Sequence, residues 1–358
     1  MRILYVRDGI TAHDRRFLDA IVAQGHVPIV VEVTADGNPS SGENLGVTHV
    51  AARAEALSSI AAEHGSEVAH VGPLPSVGAL AADNLPPRLP LVGVSWGSDV
   101  LRDCADDAVR RRALRAIDRA NVLLVDCEAV QQRILDWRPT CTTPFVRFPW
   151  GIDPRRYAES SSDTATLRTS FGWADNDVFI STRSWEPAYG IDVLLAAFAL
   201  VVEHAADARL LLIGDGSLRP EILADIQRQG LAERVQTPGR IPEAQLPAWY
   251  TAADLYVSSS PCDGTSVSLL EAMASRLPAI VHEQFGNIEW IRPGENGWLA
   301  DCLNPASLAA AMRGALRARA RWAEIGRANR ARAIADADWT KNSLLLTEAY
   351  RLAVRHAA

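Results

Sequence analysis

Short apolar runs alternate with helical stretches along the whole chain, and this alternation limits the fold more than any other feature. Arg2–Val6, Val27–Val33, Glu67–His70, Leu91–Val94 and Val122–Val125 read as strands, with helices such as His13–Gln24 and Asp106–Arg119 between them. A second series follows the polar segment Ser160–Thr169. Its strands are Val178–Thr182, Arg209–Ile213, Arg234–Thr237, Leu255–Ser258 and Ala279–Val281. Its helices are Ile191–His204, Leu218–Gln229, Glu243–Tyr250 and Val267–Ser275. Each strand–helix–strand step implies parallel strands with helices on both faces. Two series therefore predict two doubly wound α/β domains, and 358 residues suit two domains better than one core. Phe148–Pro154, with two prolines and a glycine, suits the joint, giving domains at 1–153 and 154–341. The last helix, Asn342–Arg355, has an apolar face at Leu344, Leu345, Ala349, Leu352 and Ala353 that suits either domain; a return to the first is the expectation.

Bulk chemistry narrows the partners. A net charge of -7 argues against nucleic acid, whose backbone demands clustered cations. Lys341 is the only lysine, so any phosphate site must use arginine or backbone N–H groups. The five cysteines contain no CxxC pair, which points to a reduced, cytoplasmic protein without structural disulfides or zinc. The start, MRILYVRDG, enters a strand directly, so no signal peptide is expected. No apolar run reaches the roughly 18 residues of a membrane span. The arginine stretches Arg110–Arg119 and Arg313–Arg332 read first as solvated helix faces, with peripheral contact at the inner membrane face left open.

Open parallel sheets bind ligands beyond the carboxyl ends of their strands. In the second series those ends carry Arg183-Ser184-Trp185, Gly214-Asp215-Gly216, Gly239-Arg240 and the stretch PCDGTSVSLLEAMA from Pro261 to Ala274. That last stretch sets Asp263 and Glu271 on either side of the small turn Gly264-Thr265-Ser266, which opens a helix. Backbone N–H groups and the positive end of a helix dipole suit a diphosphate there. Ser268-x-x-Glu271 also fits a capping box, Arg183 a surface ion pair, and Gly214–Gly216 a plain strand terminator.

The segments RSWEPAYGIDVLLAAF, ARLLLIGDGSLRPEI, VQTPGRIPEAQLPAWYTAADLYVSSS, DGTSVSLLEAMASRLPAIV and GNIEWIRPGENGWLA occur in this order. Together they resemble the retaining glycosyltransferases of family 4; the first half matches more loosely, through VSWGSDVLR and FPWGID. The resemblance implies the GT-B architecture, two Rossmann-like domains facing across a cleft. The second domain would hold a UDP- or GDP-sugar and the first an acceptor hydroxyl. No metal and no cofactor is implied, since the nucleotide sugar is a substrate. The family's paired acidic residues, with seven residues between them, fall on Asp263 and Glu271. By resemblance Glu271 accepts from the ribose hydroxyls and Asp263 contacts the donor sugar. Gly264, Thr265, Ser266, Val267 and Ser268 would surround the diphosphate, with Arg183 as its cation. Arg240 and Ile241 fall where the base is read, and Gly214, Asp215 and Gly216 line the same side. Three departures stand out: aspartate at 263 for glutamate, Thr265-Ser266 for phenylalanine and glycine, and Tyr189 before Gly190 for the phosphate-binding lysine.

In the first domain Gly9, His13 and Asp14 follow the first strand and Trp96 and Asp99 another, so these five are the candidate acceptor contacts. His13 could orient or deprotonate the hydroxyl, which adds it to Asp263 and Arg183 as a candidate catalytic residue. Asp14 fits a helix cap equally well, and Trp96 either stacks on a sugar or fills a core gap. The reaction implied is sugar transfer with retention, in glycan, glycolipid or glycosylated natural-product biosynthesis. A GT-B isomerase of the UDP-N-acetylglucosamine 2-epimerase kind and a non-catalytic nucleotide-sugar binder are the alternatives.

Overall fold

The computed structural model describes residues 1–38, 45–157 and 162–357; Ser160 and Ser161 of the polar segment lie outside the described residues. The chain divides into two compact units, Met1–Pro149 with Thr340–Ala358, and Trp150–Trp339. The division falls at 149/150 rather than 153/154, because the intervening residues pack with the second unit. Ile152 bridges to Asp338, and a side chain at Gly151 would meet the Trp339 backbone at 2.7 Å.

The first unit is built on a parallel sheet of β1 (Arg2–Arg7), β2 (Val27–Val33), β3 (Thr48–Ala52), β4 (Val68–Val71), β5 (Leu91–Val94), β6 (Val122–Val125) and β7 (Phe145–Arg147). Its order is β3-β2-β1-β4-β5-β6-β7. β1 lies between β2 and β4, with Ile3 opposite both Pro28 and Val68. Near-continuous burial along β1, β4, β5 and β6 is what a sheet covered on both faces requires. The helix Leu344–Ala357 packs on this sheet against β4, β5 and β6. Tyr350, buried, reaches His70 of β4 at 2.9 Å, and Thr347 meets His26 at 2.7 Å. Burial drives the His70 pKa down to about 3, so its ring is neutral.

The second unit carries β8 (Asp177–Ser181), β9 (Ala208–Ile213), β10 (Val235–Gly239), β11 (Leu255–Val257), β12 (Ala279–His282) and β13 (Gly297–Ala300), ordered β10-β9-β8-β11-β12-β13. All pairings are parallel. One face packs under Ile191–Val202 and Pro305–Arg317; the other holds Leu269, Met273, Tyr250 and Tyr256. Both sheets are thus doubly wound, as the alternation of elements predicted.

Candidate functional site

In a doubly wound sheet the ligand crevice opens where strand order reverses. In the second unit that point lies between β8 and β11, adjacent in space but far apart in sequence. The chain leaves β8 through Thr182 and Arg183, and leaves β11 into the turn that carries Asp263. Arg183 Nη2 accordingly donates to Asp263 Oδ1 at 2.6 Å, with both side chains 11% exposed. Its Nη1 donates to Ser266 Oγ at 2.9 Å and Ser268 Oγ at 3.0 Å, and its guanidinium lies over the Tyr189 ring at 4.4 Å. Burial works against the Arg183 charge; Asp263, then Tyr256 and Tyr189, outweigh it and hold the pKa above its ordinary value.

Glycines allow this approach. Gly214 has φ +144°, and a Cβ there would sit 2.4 Å from the Arg183 carbonyl; one at Gly216 would sit 2.4 Å from the Trp185 carbonyl. The loop after β9 therefore presses backbone to backbone on the arginine segment, and Trp185 N–H donates to the Asp215 carbonyl at 3.1 Å. The Asp215 carboxylate serves the loop itself, accepting from the Gly216 N–H at 2.9 Å and pairing with Arg219 at 3.4 Å. Gly214 and Gly216 thus brace Arg183. Gly286 braces Gly264 in the same way, since its Cβ would lie 2.1 Å from the Gly264 carbonyl oxygen. Arg240 is exposed at the end of β10, and Ile241 packs half-buried against the core.

The helix Val267–Ala274 begins beside Arg183. Its cap residue, Ser266, makes no side-chain cap bond; the Ser266 hydroxyl is engaged with Arg183 and Ser268 instead. Nor do Ser268 and Glu271 form a capping box. Ser268 meets Tyr256 Oη at 2.8 Å, and Glu271 accepts from two phenols, Tyr157 at 2.8 Å and Tyr250 at 2.9 Å. Burial, then the Glu271 charge, raises both phenols above their ordinary pKa, so both remain donors. Tyr157, Tyr250 and Thr182 were not foreseen from the sequence. Tyr250 lies inside a matched segment; nothing around Tyr157 marks it.

In the first unit the candidate residues separate. Asp14 is fully buried and its carboxylate accepts from Tyr5 Oη at 2.8 Å and from Thr11 N–H at 2.8 Å, and pairs with Arg7 at 2.7 Å. It forms a capping box with Thr11, the cap being one of its two sequence readings. Asp99, also buried, accepts from Ser95 Oγ at 2.7 Å, Trp96 N–H at 2.9 Å and Leu74 N–H at 3.0 Å. It organises two loops, and burial raises its pKa despite these bonds. Gly9 is half-buried on the loop after β1. His13 stands edge-on to Trp96 with ring centroids 5.6 Å apart, and the Arg7 guanidinium lies 4.3 Å from the Trp96 ring centre. A cavity of about 470 Å³ opens here, lined by Arg7, Thr11, Trp96, Ser98 and Arg112 among others.

Among the described residues no group of three or more His, Cys, Asp or Glu side chains gathers as for a metal, and no helix is long and apolar enough to cross a membrane. Residues 175–318 match the family described as glycosyl transferases group 1. The chain is 26% identical over 209 residues to a GDP-mannose-dependent alpha-(1-6)-phosphatidylinositol monomannoside mannosyltransferase of Mycolicibacterium smegmatis, covering 56% of this chain and 54% of that one. It is 33% identical over 215 residues to a D-inositol 3-phosphate glycosyltransferase of Segniliparus rotundus, covering 59% and 47%. The chain thus spans about half the length of these curated relatives. In fold it is similar to Anabaena HepE, solved with UDP, with a TM-score of 0.83 at 19% identity over 97% of this chain and 99% of that one. The motif region of the second unit thus matches the group 1 glycosyltransferases over residues 175–318, and the two doubly wound sheets have the fold of the HepE structure.

Proposed function

We propose that the chain transfers a sugar from a UDP- or GDP-sugar to an acceptor hydroxyl, with retention of the anomeric configuration and without a metal. One observation carries the reading: at the strand-order reversal of the family-matched unit, Arg183 gathers Asp263, Ser266 and Ser268 around a helix start whose cap residue makes no side-chain cap bond. Charge develops on the leaving diphosphate as the bond from the sugar's anomeric carbon to the phosphate oxygen breaks. Arg183 and the N–H groups of Ser266, Val267 and Ser268 stabilise that charge, preorganised and shielded from water. Gly264 and Thr265 complete the turn, Tyr189 supports the arginine in place of a lysine, and Asp263 orients the donor sugar. Glu271 holds the ribose, while Arg240 and Ile241 flank the base. The acceptor oxygen bonds to the anomeric carbon, and its proton passes to the departing phosphate oxygen on the same face. In the first unit Trp96 and His13 serve the acceptor, His13 by orienting the hydroxyl.

The curated relatives support a nucleotide-sugar donor, one of them by the name GDP-mannose-dependent, and the structural neighbour was solved with UDP. The test is mass-spectrometric detection of product from UDP- and GDP-sugars against an acceptor panel, with the anomeric configuration read by NMR. Arg183→Ala and Glu271→Ala should each lose about a hundredfold or more in kcat/KM. Wild-type transfer in both variants refutes the assignment, and epimer formed without acceptor favours an isomerase.

A further inference from the structure

We propose that Tyr157 and Tyr250 are positioning residues that fix the Glu271 carboxylate to accept a ribose 2′,3′-diol, making the site selective for ribonucleoside over 2′-deoxyribonucleoside diphosphates. The inference rests on the donor role given to this site above.

Glu271 is half-buried, one turn into its helix, and each of its oxygens accepts from a phenol on a different element. Tyr157 belongs to the segment after the unit boundary and donates to Oε1 at 2.8 Å; Tyr250, from Leu246–Thr251, donates to Oε2 at 2.9 Å. Both tyrosines are buried, so their hydroxyls are held by the core. A carboxylate bonded from two sides has its plane fixed, and each oxygen accepts two hydrogen bonds in all. Two oxygens held at a set spacing match a vicinal diol, whereas a carboxylate free to rotate would follow either sugar.

The anchoring extends to the arginine. Thr182 Oγ1 lies 2.7 Å from Tyr250 Oη, and Thr182 directly precedes Arg183. Adjacent residues at the end of β8 therefore grip one helix twice. Arg183 holds its start through Ser266 and Ser268, and Thr182 holds Glu271 through Tyr250. That fixes the span between the cation for the diphosphate and the acceptor for the ribose, which is the span a nucleoside diphosphate must match.

The test is calorimetric titration of the whole chain with UDP, GDP and their 2′-deoxy counterparts. Wild type should favour the ribonucleotide by about tenfold or more, the scale of one hydrogen bond to a charged acceptor. Tyr157→Phe should cut that ratio several-fold, raising KM for the donor with kcat little changed, because the ribose is remote from the reacting bond. Tyr250→Phe carries the same expectation through the other oxygen and serves where Tyr157→Phe does not fold. In a Glu271→Gln background the ratio should lie near one and Tyr157→Phe should add nothing. A ratio kept at the wild-type value in both phenylalanine variants, or lowered equally with and without Glu271, overturns the tyrosines' role while leaving the donor reading intact. Failure of UDP and GDP alike to bind wild type overturns the donor reading and this inference with it.

Discussion

Replacing Asp263 by asparagine should destabilise the second unit while leaving its grip on a diphosphate intact or tighter. The Arg183–Asp263 pair is 2.6 Å long and each side chain is only 11% exposed, so neither charge is well hydrated. Removing one member of such a pair costs about 3–5 kcal/mol, chiefly because the remaining charge stays buried. Ser266, Ser268 and the Tyr189 ring still hold Arg183, and asparagine still offers it an oxygen, which puts the loss near the lower end. At about 2–4 °C per kcal/mol for a unit of this size, a cost of about 3 kcal/mol lowers Tm by roughly 6–12 °C. A diphosphate supplies the missing negative charge, so saturating UDP or GDP should return more stability to Asp263→Asn than to wild type. Arg183→Met should lose stability as well, but its ligand-induced shift should disappear instead of growing. Scanning calorimetry with and without nucleotide reads both quantities. A smaller ligand shift in Asp263→Asn than in wild type, or an unchanged Tm, would refute the view that Asp263 and the diphosphate share this arginine.

The supporting glycines make equally direct predictions. Gly214→Ala combines a strained φ of +144° with a Cβ 2.4 Å from the Arg183 carbonyl, and a displaced Arg183 should cost about a hundredfold in transfer rate, measured by steady-state kinetics. Gly286→Ala should weaken UDP or GDP binding by displacing Gly264, whose carbonyl its Cβ would approach at 2.1 Å; unchanged affinity in titration calorimetry would show that the turn yields. His70 gives a pH dependence. Its folded pKa is about 3, mainly through burial, so below its ordinary value near 6.5 only the unfolded chain takes up the proton. Stability of the first unit should therefore be lost as pH falls from 6.5 toward 3, with a slope approaching about 1.4 kcal/mol per pH unit, and His70→Gln should flatten it in denaturant titrations.

The alternation of elements was legible because buried parallel strands leave continuous apolar runs. The strands that escaped were β3, β7 and β13, and each is an edge strand. Their exposure is mixed, their sequences include Thr48, His49 and Arg147, and one neighbour instead of two leaves less apolar surface to read. At the site, Arg183, Asp263 and Ser266 came together as the motif order suggested, because strand order alone brings the ends of β8 and β11 side by side. Tyr157 could not be found that way. Its role depends on a hydrogen bond to a helix 114 residues later, and no local pattern records such a contact.

The two carboxylates Asp14 and Glu271 show where reading from sequence reaches its limit. Each had a capping reading and a ligand reading, and local spacing supported both. At Asp14 the cap is realised, and at Glu271 it is not. The difference lies in what the neighbouring strands and helices bring to each carboxylate. Arg7 and Tyr5, from β1, bond Asp14 in the buried core. A guanidinium and a phenol at that depth neutralise and enclose the carboxylate, leaving it a purely structural task. Tyr157 and Tyr250 bring Glu271 two phenol donors at a half-buried position. Two phenols from separate elements give the carboxylate a defined direction, a condition under which it recognises hydroxyl groups. The bonding of each carboxylate is therefore set by partners that the fold supplies from a distance.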